Sequence, residues 1–254
     1  MLPTLAGPPG APPCGAPCPA AGATAVAVGP ARYSGGVKQP ARGVLIVFEG
    51  GDGAGKSTQV TALARSLREA GHTVTCTREP GGTALAESVR ALVLDPAHAP
   101  VSAATEALLF AAARADHVAR LIRPALERGE IVVCDRFVDS SAAYQGAGRG
   151  LGTGHVLELN QWALQGLVPD LTVVLDVDPA TAEARRRGRG AAADRMESET
   201  RAFHDAVNAA FRELAHRAPS RYLVLDASDS AAGITRAVSA RVTPLLPTPD
   251  GAAR

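Results

Sequence analysis

The chain has 254 residues, 46% hydrophobic and 20% charged, enough apolar content for one mid-sized folded domain and too much for a wholly disordered chain. Lys and Arg number 26 against 25 Asp and Glu, a formal net charge of +1, which argues against a general nucleic-acid or membrane-surface binder. No apolar run reaches the roughly 18 residues of a membrane-spanning helix, so neither nucleic acid nor membrane is expected as a partner.

Residues 1–42 hold 9 of the 19 prolines, two leucines and no Asp or Glu. Val26 and Val28 alternate with small residues, but no period persists, and the composition predicts a disordered Ala/Pro/Gly-rich extension. It lacks the basic start and apolar stretch of a signal peptide. Cys14 and Cys18 form a C-x3-C pair there without a second pair or a nearby His, short of the four ligands of a structural zinc site.

From Gly43 the pattern becomes regular, and a domain over 43–243 is expected. Val44–Phe48 reads as a strand ending in a Gly-rich turn. A helix follows, with Val60, Leu63, Ala64 and Leu67 on one face and Gly71 as its stop. Thr73–Thr77 reads as a second strand, then helices over Leu85–Leu94 and Glu106–Glu127, the latter broken at Pro124. Ile131–Cys134 and Leu171–Leu175 are further strands, and a helix starts at Pro179. A helical stripe of Phe203, Val207, Ala210, Phe211 and Leu214 precedes a fifth strand, Tyr222–Leu225, and a last helix, Ala231–Val242. Residues 244–254 read as a short tail. Strands alternating with helices predict an α/β fold, a five-stranded, mostly parallel sheet covered on both faces. Cys76 and Cys134 lie in strand-like runs and are expected to pack as small hydrophobes. No disulfide framework is implied, and a reducing, cytoplasmic setting fits.

The segment Gly50-Gly51-Asp52-Gly53-Ala54-Gly55-Lys56-Ser57 fits G-x4-G-K-[ST] between a strand and a helix, which is the context a P-loop requires. Glycines let successive N–H groups point into one cavity, and the helix N-terminus adds positive potential. Lys56 is expected to reach the β- and γ-phosphates of ATP, Ser57 to ligate Mg²⁺ through its hydroxyl, and Thr58 to complete the loop. The chain has only two lysines, Lys38 and Lys56, against 24 arginines, and a compact ammonium suits a phosphate nest where a planar guanidinium does not. A P-loop alone says only that a nucleoside triphosphate binds. Neither lysine sits in an N-K-x-D context, which argues against a GTPase. The third strand ends Cys134-Asp135-Arg136, and an Asp beside an Arg at a strand's C-terminal edge suits Mg²⁺ organisation plus anion binding. That points to phosphoryl transfer to a small anionic acceptor.

Further clusters form a set: Thr77-Arg-Glu-Pro-Gly-Gly-Thr83, Leu109-Phe-Ala-Ala-Ala-Arg114, Asp135-Arg-Phe-Val-Asp-Ser-Ser-Ala-Ala-Tyr-Gln-Gly146 and Pro169-Asp-Leu-Thr-Val-Val-Leu-Asp176. With Phe48–Gln59, and in this order, the chain from about Gly43 to Val242 resembles the bacterial thymidylate kinases. The resemblance implies ATP-dependent phosphorylation of dTMP to dTDP. It implies that Phe110 stacks on thymine, that Arg114 bonds a base carbonyl, and that Ser141 and Gln145 read the base edge. Arg136 and Arg90 would clamp the acceptor phosphate, with Asp52 and Glu79 near the sugar and phosphate and Tyr144 below the sugar. A planar base wants an aromatic face and a phosphate wants forked guanidinium donors. Taken alone, Phe110 reads as core sooner than as a base platform, and Arg136 could simply pair with Asp135 or Asp139.

Some members of that family carry an Arg in the P-loop where this chain has Gly53; a second class places catalytic arginines in a mobile lid. Residues 185–195 read Arg-Arg-Arg-Gly-Arg-Gly-Ala-Ala-Ala-Asp-Arg and are expected to form such a mobile Arg-rich lid, the alternative being a solvated basic loop or nucleic-acid patch. Arg189 and Arg195 are the candidate catalytic arginines, with Lys56, Arg136 and Asp52. Phe137 stands where many relatives have Tyr or His. Relatives are commonly homodimers, and Leu157–Leu167 with Trp162 suits either an interface or the core. Rival readings are a kinase of the same fold acting on another nucleotide or a deoxynucleoside, a P-loop ATPase, and a non-catalytic nucleotide-sensing module.

Overall fold

The computed structural model describes residues 43–188 and 194–246, and for Pro179, Arg186 and Arg187 the backbone alone. Residues 1–42, Arg189 and most of the C-terminal tail therefore lie outside the described residues. Five strands, β1 (Leu45–Glu49), β2 (Val74–Arg78), β3 (Ile131–Asp135), β4 (Leu171–Asp176) and β5 (Tyr222–Asp226), form one sheet in the order β2-β3-β1-β4-β5. Every pairing is parallel, with Phe48 opposite Asp135 on one side and Val173 on the other.

β1 lies at the centre and is buried throughout, so its residues divide between two cores by the two-residue strand period. Ile46 and Phe48 face one core with Val60, Leu63 and Leu67 of α1 (Lys56–Glu69) and Ile234 and Val238 of α9 (Ala231–Val242). Leu45 and Val47 face the other, with Val118, Ile122, Cys134 and Phe137. The α1 stripe expected from sequence is buried, and Gly71 follows that helix at φ 88°. Cys134 is buried as expected. Cys76 is exposed, because β2 is an edge strand with half-open sides, and the Arg68 guanidinium reaches its Sγ at 3.4 Å.

The long helix after residue 103 differs from expectation. It runs as α3 (Ala103–His117), passes through a π-helical turn (Val118–Ile122) and resumes as α4 (Arg123–Glu127) without breaking. Pro124 sits in the first turn of α4, where its missing N–H costs least, and the wider turn before it makes room for the ring. The sequence patterns did not resolve the segment after β3. There α5 (Val138–Ser141) leads through a second π-helical stretch (Ala142–Gly148) towards α6 (Thr153–Leu164). The remaining helices are α2 (Ala84–Leu94), α7 (Pro179–Gly188) and α8 (Arg201–Arg217). At the C-terminus Thr243–Leu245 form a short turn, and Leu245 and Leu246 pack on the core. Among the described residues no helix is long and apolar enough to cross a membrane.

Candidate active site

The C-terminal ends of the parallel strands open on a cavity of about 460 Å³ lined by the P-loop, β2, α2, α3, the segment after β3 and the ends of the expected lid. Among the predicted residues, Asp52, Gly53, Gly55, Lys56, Ser57, Thr58, Glu79, Arg90, Phe110, Arg114, Asp135, Arg136, Ser141, Tyr144 and Gln145 border it. Ala54 is buried beneath the loop in the α1 core, and Gly50 and Gly51 form the loop's first turn.

The loop's shape follows from its glycines. Gly50, Gly53 and Gly55 have φ of 132°, 86° and 94°, a region that L side chains rarely enter. A Cβ at Gly53 would lie 2.6 Å from the Ala182 carbonyl oxygen of α7. No side chain fits there, and α7 instead brings Arg185 to the loop, its Nη1 donating to the Gly53 carbonyl at 3.3 Å and its Nη2 to Ala227 at 2.8 Å. Lys56 is buried and donates to the Gly50 and Gly51 carbonyls at 3.0 and 2.8 Å. Burial and the nearby Arg136 charge pull its ammonium down to about 8, against the carboxylates of Asp52, Asp135 and Glu49. The Ser57 hydroxyl donates to Asp135 Oδ2 at 2.6 Å.

Arg136 is the other pole. It adopts a left-handed backbone, φ 70°, a strain of about 1–3 kcal/mol that surrounding structure must hold. Its Nη2 meets Asp52 Oδ1 at 2.5 Å and its Nη1 the Gly50 carbonyl at 3.0 Å. The Tyr144 hydroxyl donates to Asp52 at 2.9 Å, and the Arg136 guanidinium lies 5.1 Å from the Tyr144 ring centroid. Burial pushes the Asp52 carboxyl up, but the charges of Arg136 and Lys56 and the hydrogen bonds outweigh it and hold Asp52 well below the usual range.

Sequence reasoning missed what fixes this turn. Glu49, fully buried at the end of β1, accepts the Phe137 N–H at 2.8 Å, the Ser140 N–H at 3.0 Å and the Ser140 hydroxyl at 2.6 Å. Its carboxyl is raised from 4.5 to about 7 by burial, then by Asp139, with Arg136 and the hydrogen bonds opposing. A carboxyl with a raised folded value binds its proton more tightly folded than unfolded, so it erodes stability as pH rises from about 4.5 to about 7. Glu49→Gln is expected to flatten that part of the pH dependence. Urea midpoints across the window test it, and parallel curves for the two proteins would refute it.

The opposite wall comes from α3. Phe110 is half-buried, packing against Ala86, Val89 and Val93 while bordering the cavity. One turn on, Arg114 is 2% exposed. Its Nε donates to Glu79 at 2.7 Å, Nη1 to Ser141 at 3.0 Å and to Asn160, and Nη2 to the Phe137 carbonyl at 3.1 Å. These bonds use four of the five guanidinium N–H groups and leave one. Glu79 also meets His117 Nδ1 at 3.0 Å, and His117 Nε2 meets the Thr77 hydroxyl at 2.7 Å. Arg90 Nη1 donates to the Pro80 carbonyl at 3.0 Å. Gln145 is buried and donates to Glu106.

Arg195 does not border the cavity. It is buried, with Nε on the Val93 carbonyl at 2.8 Å and Nη1 on Glu106 at 2.6 Å. Asp194, Met196 and Glu197 beside it do line the cavity.

A family model for thymidylate kinase matches residues 48–238. The chain belongs to the thymidylate kinase family. It is 50% identical over 204 residues to the thymidylate kinase of Cutibacterium acnes, covering 80% of this chain and 98% of that one. The thymidylate kinase of Thermomicrobium roseum is 51% identical over 202 residues, 80% of this chain and 95% of the relative. The crystal structure of thymidylate kinase from Ehrlichia chaffeensis superposes with a TM-score of 0.65 at 34% identity, over 80% of this chain and 99% of that one. For this chain, family membership and cavity now meet. Four of the five clusters that carry the resemblance contribute residues to one opening, and at Gly53 the Cβ direction is blocked by the Ala182 carbonyl of α7.

Proposed function

We propose that this cavity takes both substrates, the ATP phosphates over the Gly50–Gly55 turn and dTMP between Phe110, Arg114 and the Asp135–Gln145 segment. As a thymidylate kinase family member the enzyme phosphorylates dTMP to dTDP, with ATP as donor. The observation that carries the residue-level reading is that Lys56, Ser57, Asp135, Arg136, Phe110 and Arg114 all border the same opening.

Each group then has a task. Main-chain amides of the P-loop and the ammonium of Lys56 hold the donor phosphates. Arg136 and Arg90 hold the acceptor phosphate, and ionised Asp52 keeps Arg136 aimed while facing the sugar above Tyr144. Phe110 offers its ring to the base, and the remaining Arg114 N–H meets a base carbonyl. Arg185 supplies a guanidinium beside the P-loop, with Arg189 four residues further along the lid sequence. Arg195, paired with buried Glu106, anchors the lid's far end instead of reaching the phosphates. The hydroxyl of Ser57 and the carboxylate of Asp135 are hard oxygen donors 2.6 Å apart at the cavity edge, a set that fits Mg²⁺. They would hold the ion, which when bound neutralises phosphate charge. Positioning and charge neutralisation do most of the work, because phosphoryl transfer needs little covalent help.

An acceptor panel tests the reading: dTMP is expected to exceed dCMP, dAMP and dGMP in kcat/KM. Phe110→Ala is expected to raise the KM for dTMP about tenfold or more, the loss of about 1.4 kcal/mol or more of stacking. An unchanged KM would return Phe110 to the core.

We also propose a homodimer in the cytoplasm. α2 packs on α3 and α3 on α6, and these helices carry exposed Leu85, Leu92, Leu108 and Trp162, the last 86% exposed. Trp162 is therefore surface, and a large exposed aromatic suits an interface. Trp162→Glu is expected to shift sedimentation equilibrium from dimer towards monomer, and an unaltered dimer would sink the assignment. Cys76 and Cys134 are free thiols, which suits a reducing compartment.

A further inference from the structure

Glu106 is wholly buried in α3, one turn before Phe110 and two before Arg114. Its Oε1 accepts Gln145 Nε2 at 2.9 Å and Arg149 Nε at 3.1 Å. Its Oε2 accepts Arg149 Nη2 at 3.1 Å and Arg195 Nη1 at 2.6 Å. All four lone-pair positions of the carboxylate are thereby used. Arg149 is balanced in turn by Glu199 at 2.6 Å, and its guanidinium lies 4.8 Å from the Phe203 ring centroid. Burial pushes the Glu106 carboxyl up, but the hydrogen bonds from Arg149, Gln145 and Arg195 outweigh it, so the group stays ionised.

An ionised carboxylate only accepts hydrogen bonds. It therefore decides which end of the Gln145 amide turns towards it. One N–H of the NH₂ end is bonded to Glu106, which turns that end towards the carboxylate, and no described hydrogen bond ends on Oε1, while Gln145 borders the cavity. The amide is thus held as an acceptor towards the base. Thymine carries a ring N–H beside its O4 carbonyl. Cytosine carries a bare ring nitrogen beside an amine, and would face Gln145 with acceptor against acceptor.

Resting on the assignment of this cavity to dTMP, we propose that Glu106 is a specificity-determining positioning residue: through Gln145 it makes the pocket select a pyrimidine with a ring N–H over cytosine. Arg149 and Arg195 keep it charged and in place, which also gives the far end of the lid its anchor beside the base pocket.

The test is a cycle of Glu106→Gln and Gln145→Ala, with dTMP and dCMP as acceptors and thermal melts to show folding. In Glu106→Gln the amide is free to turn over. The kcat/KM preference for dTMP over dCMP is expected to fall about tenfold or more, mainly through the KM for dTMP. In a Gln145→Ala background the same substitution is expected to change the preference less than about twofold. An unaltered preference in folded Glu106→Gln, or an equal loss in the Gln145→Ala background, overturns the proposal. Should Glu106→Gln not fold, Glu106→Asp decides. It keeps the charge for both arginines but withdraws the carboxylate, and must still lower the preference. A wild-type enzyme with no preference for dTMP would instead overturn the pocket assignment itself.

Discussion

Lys56→Ala is expected to lower kcat by about 10³-fold or more while leaving the fold intact. Removing one donor from a preorganised anion site costs about 10²–10³ in rate, and here the donor also carries a full charge. The fold survives because, among the described residues, the hydrogen bonds of the Lys56 ammonium go to the Gly50 and Gly51 carbonyls of its own loop. Lys56→Arg is expected to rescue little. A planar fork cannot sit between two carbonyls of a loop built at φ values only glycine adopts. Steady-state kinetics with saturating dTMP, beside a melt showing an unchanged midpoint, measures this. A variant turning over at near the parent rate would remove Lys56 from the phosphate site and with it the P-loop reading.

Arg114→Met carries the largest expected stability loss. The guanidinium is buried at 2% exposure and offsets the Glu79 carboxylate, itself 4% exposed. Removing one partner of a buried ion pair leaves the other uncompensated, at about 3–5 kcal/mol. Asn160 and Ser141 lose a donor as well. Glu79→Gln added to Arg114→Met is expected to recover part of the loss, since no charge is then stranded. Denaturant midpoints of the four proteins in the cycle give the coupling. Additive losses would show that Glu79 does not depend on Arg114. The single variant is also expected to raise the KM for dTMP, because Arg114 borders the cavity proposed to hold the base.

These two residues differ in how they could be found. Lys56 was legible because its function is contiguous: eight consecutive residues bend into a nest by local backbone preferences, so sequence spacing is spatial spacing. Arg114 was legible by its place one helical turn after Phe110, but its partners were not. Asn160 lies 46 residues away, and Glu79 lies 35 residues before it; no local period links them. Glu49 was invisible for the same reason. It ends a strand that reads simply as apolar, and its role appears only when β3 pairs beside β1 and places Phe137 and Ser140 against it.

The amino-acid order by itself determined the strands, the alternation that makes the sheet parallel, and the phosphate loop, since each depends on hydrogen bonding and burial periods within a few residues. Tertiary packing decided the rest. It exposed Cys76 by making β2 an edge and let a π-helical turn carry the chain through Pro124. It filled the space above Gly53 with α7, bringing Arg185 to the loop. It drew Arg195 down to Glu106, because a buried carboxylate needs a counter-charge wherever the fold brings one, and nothing in a linear run of arginines says which of them that will be.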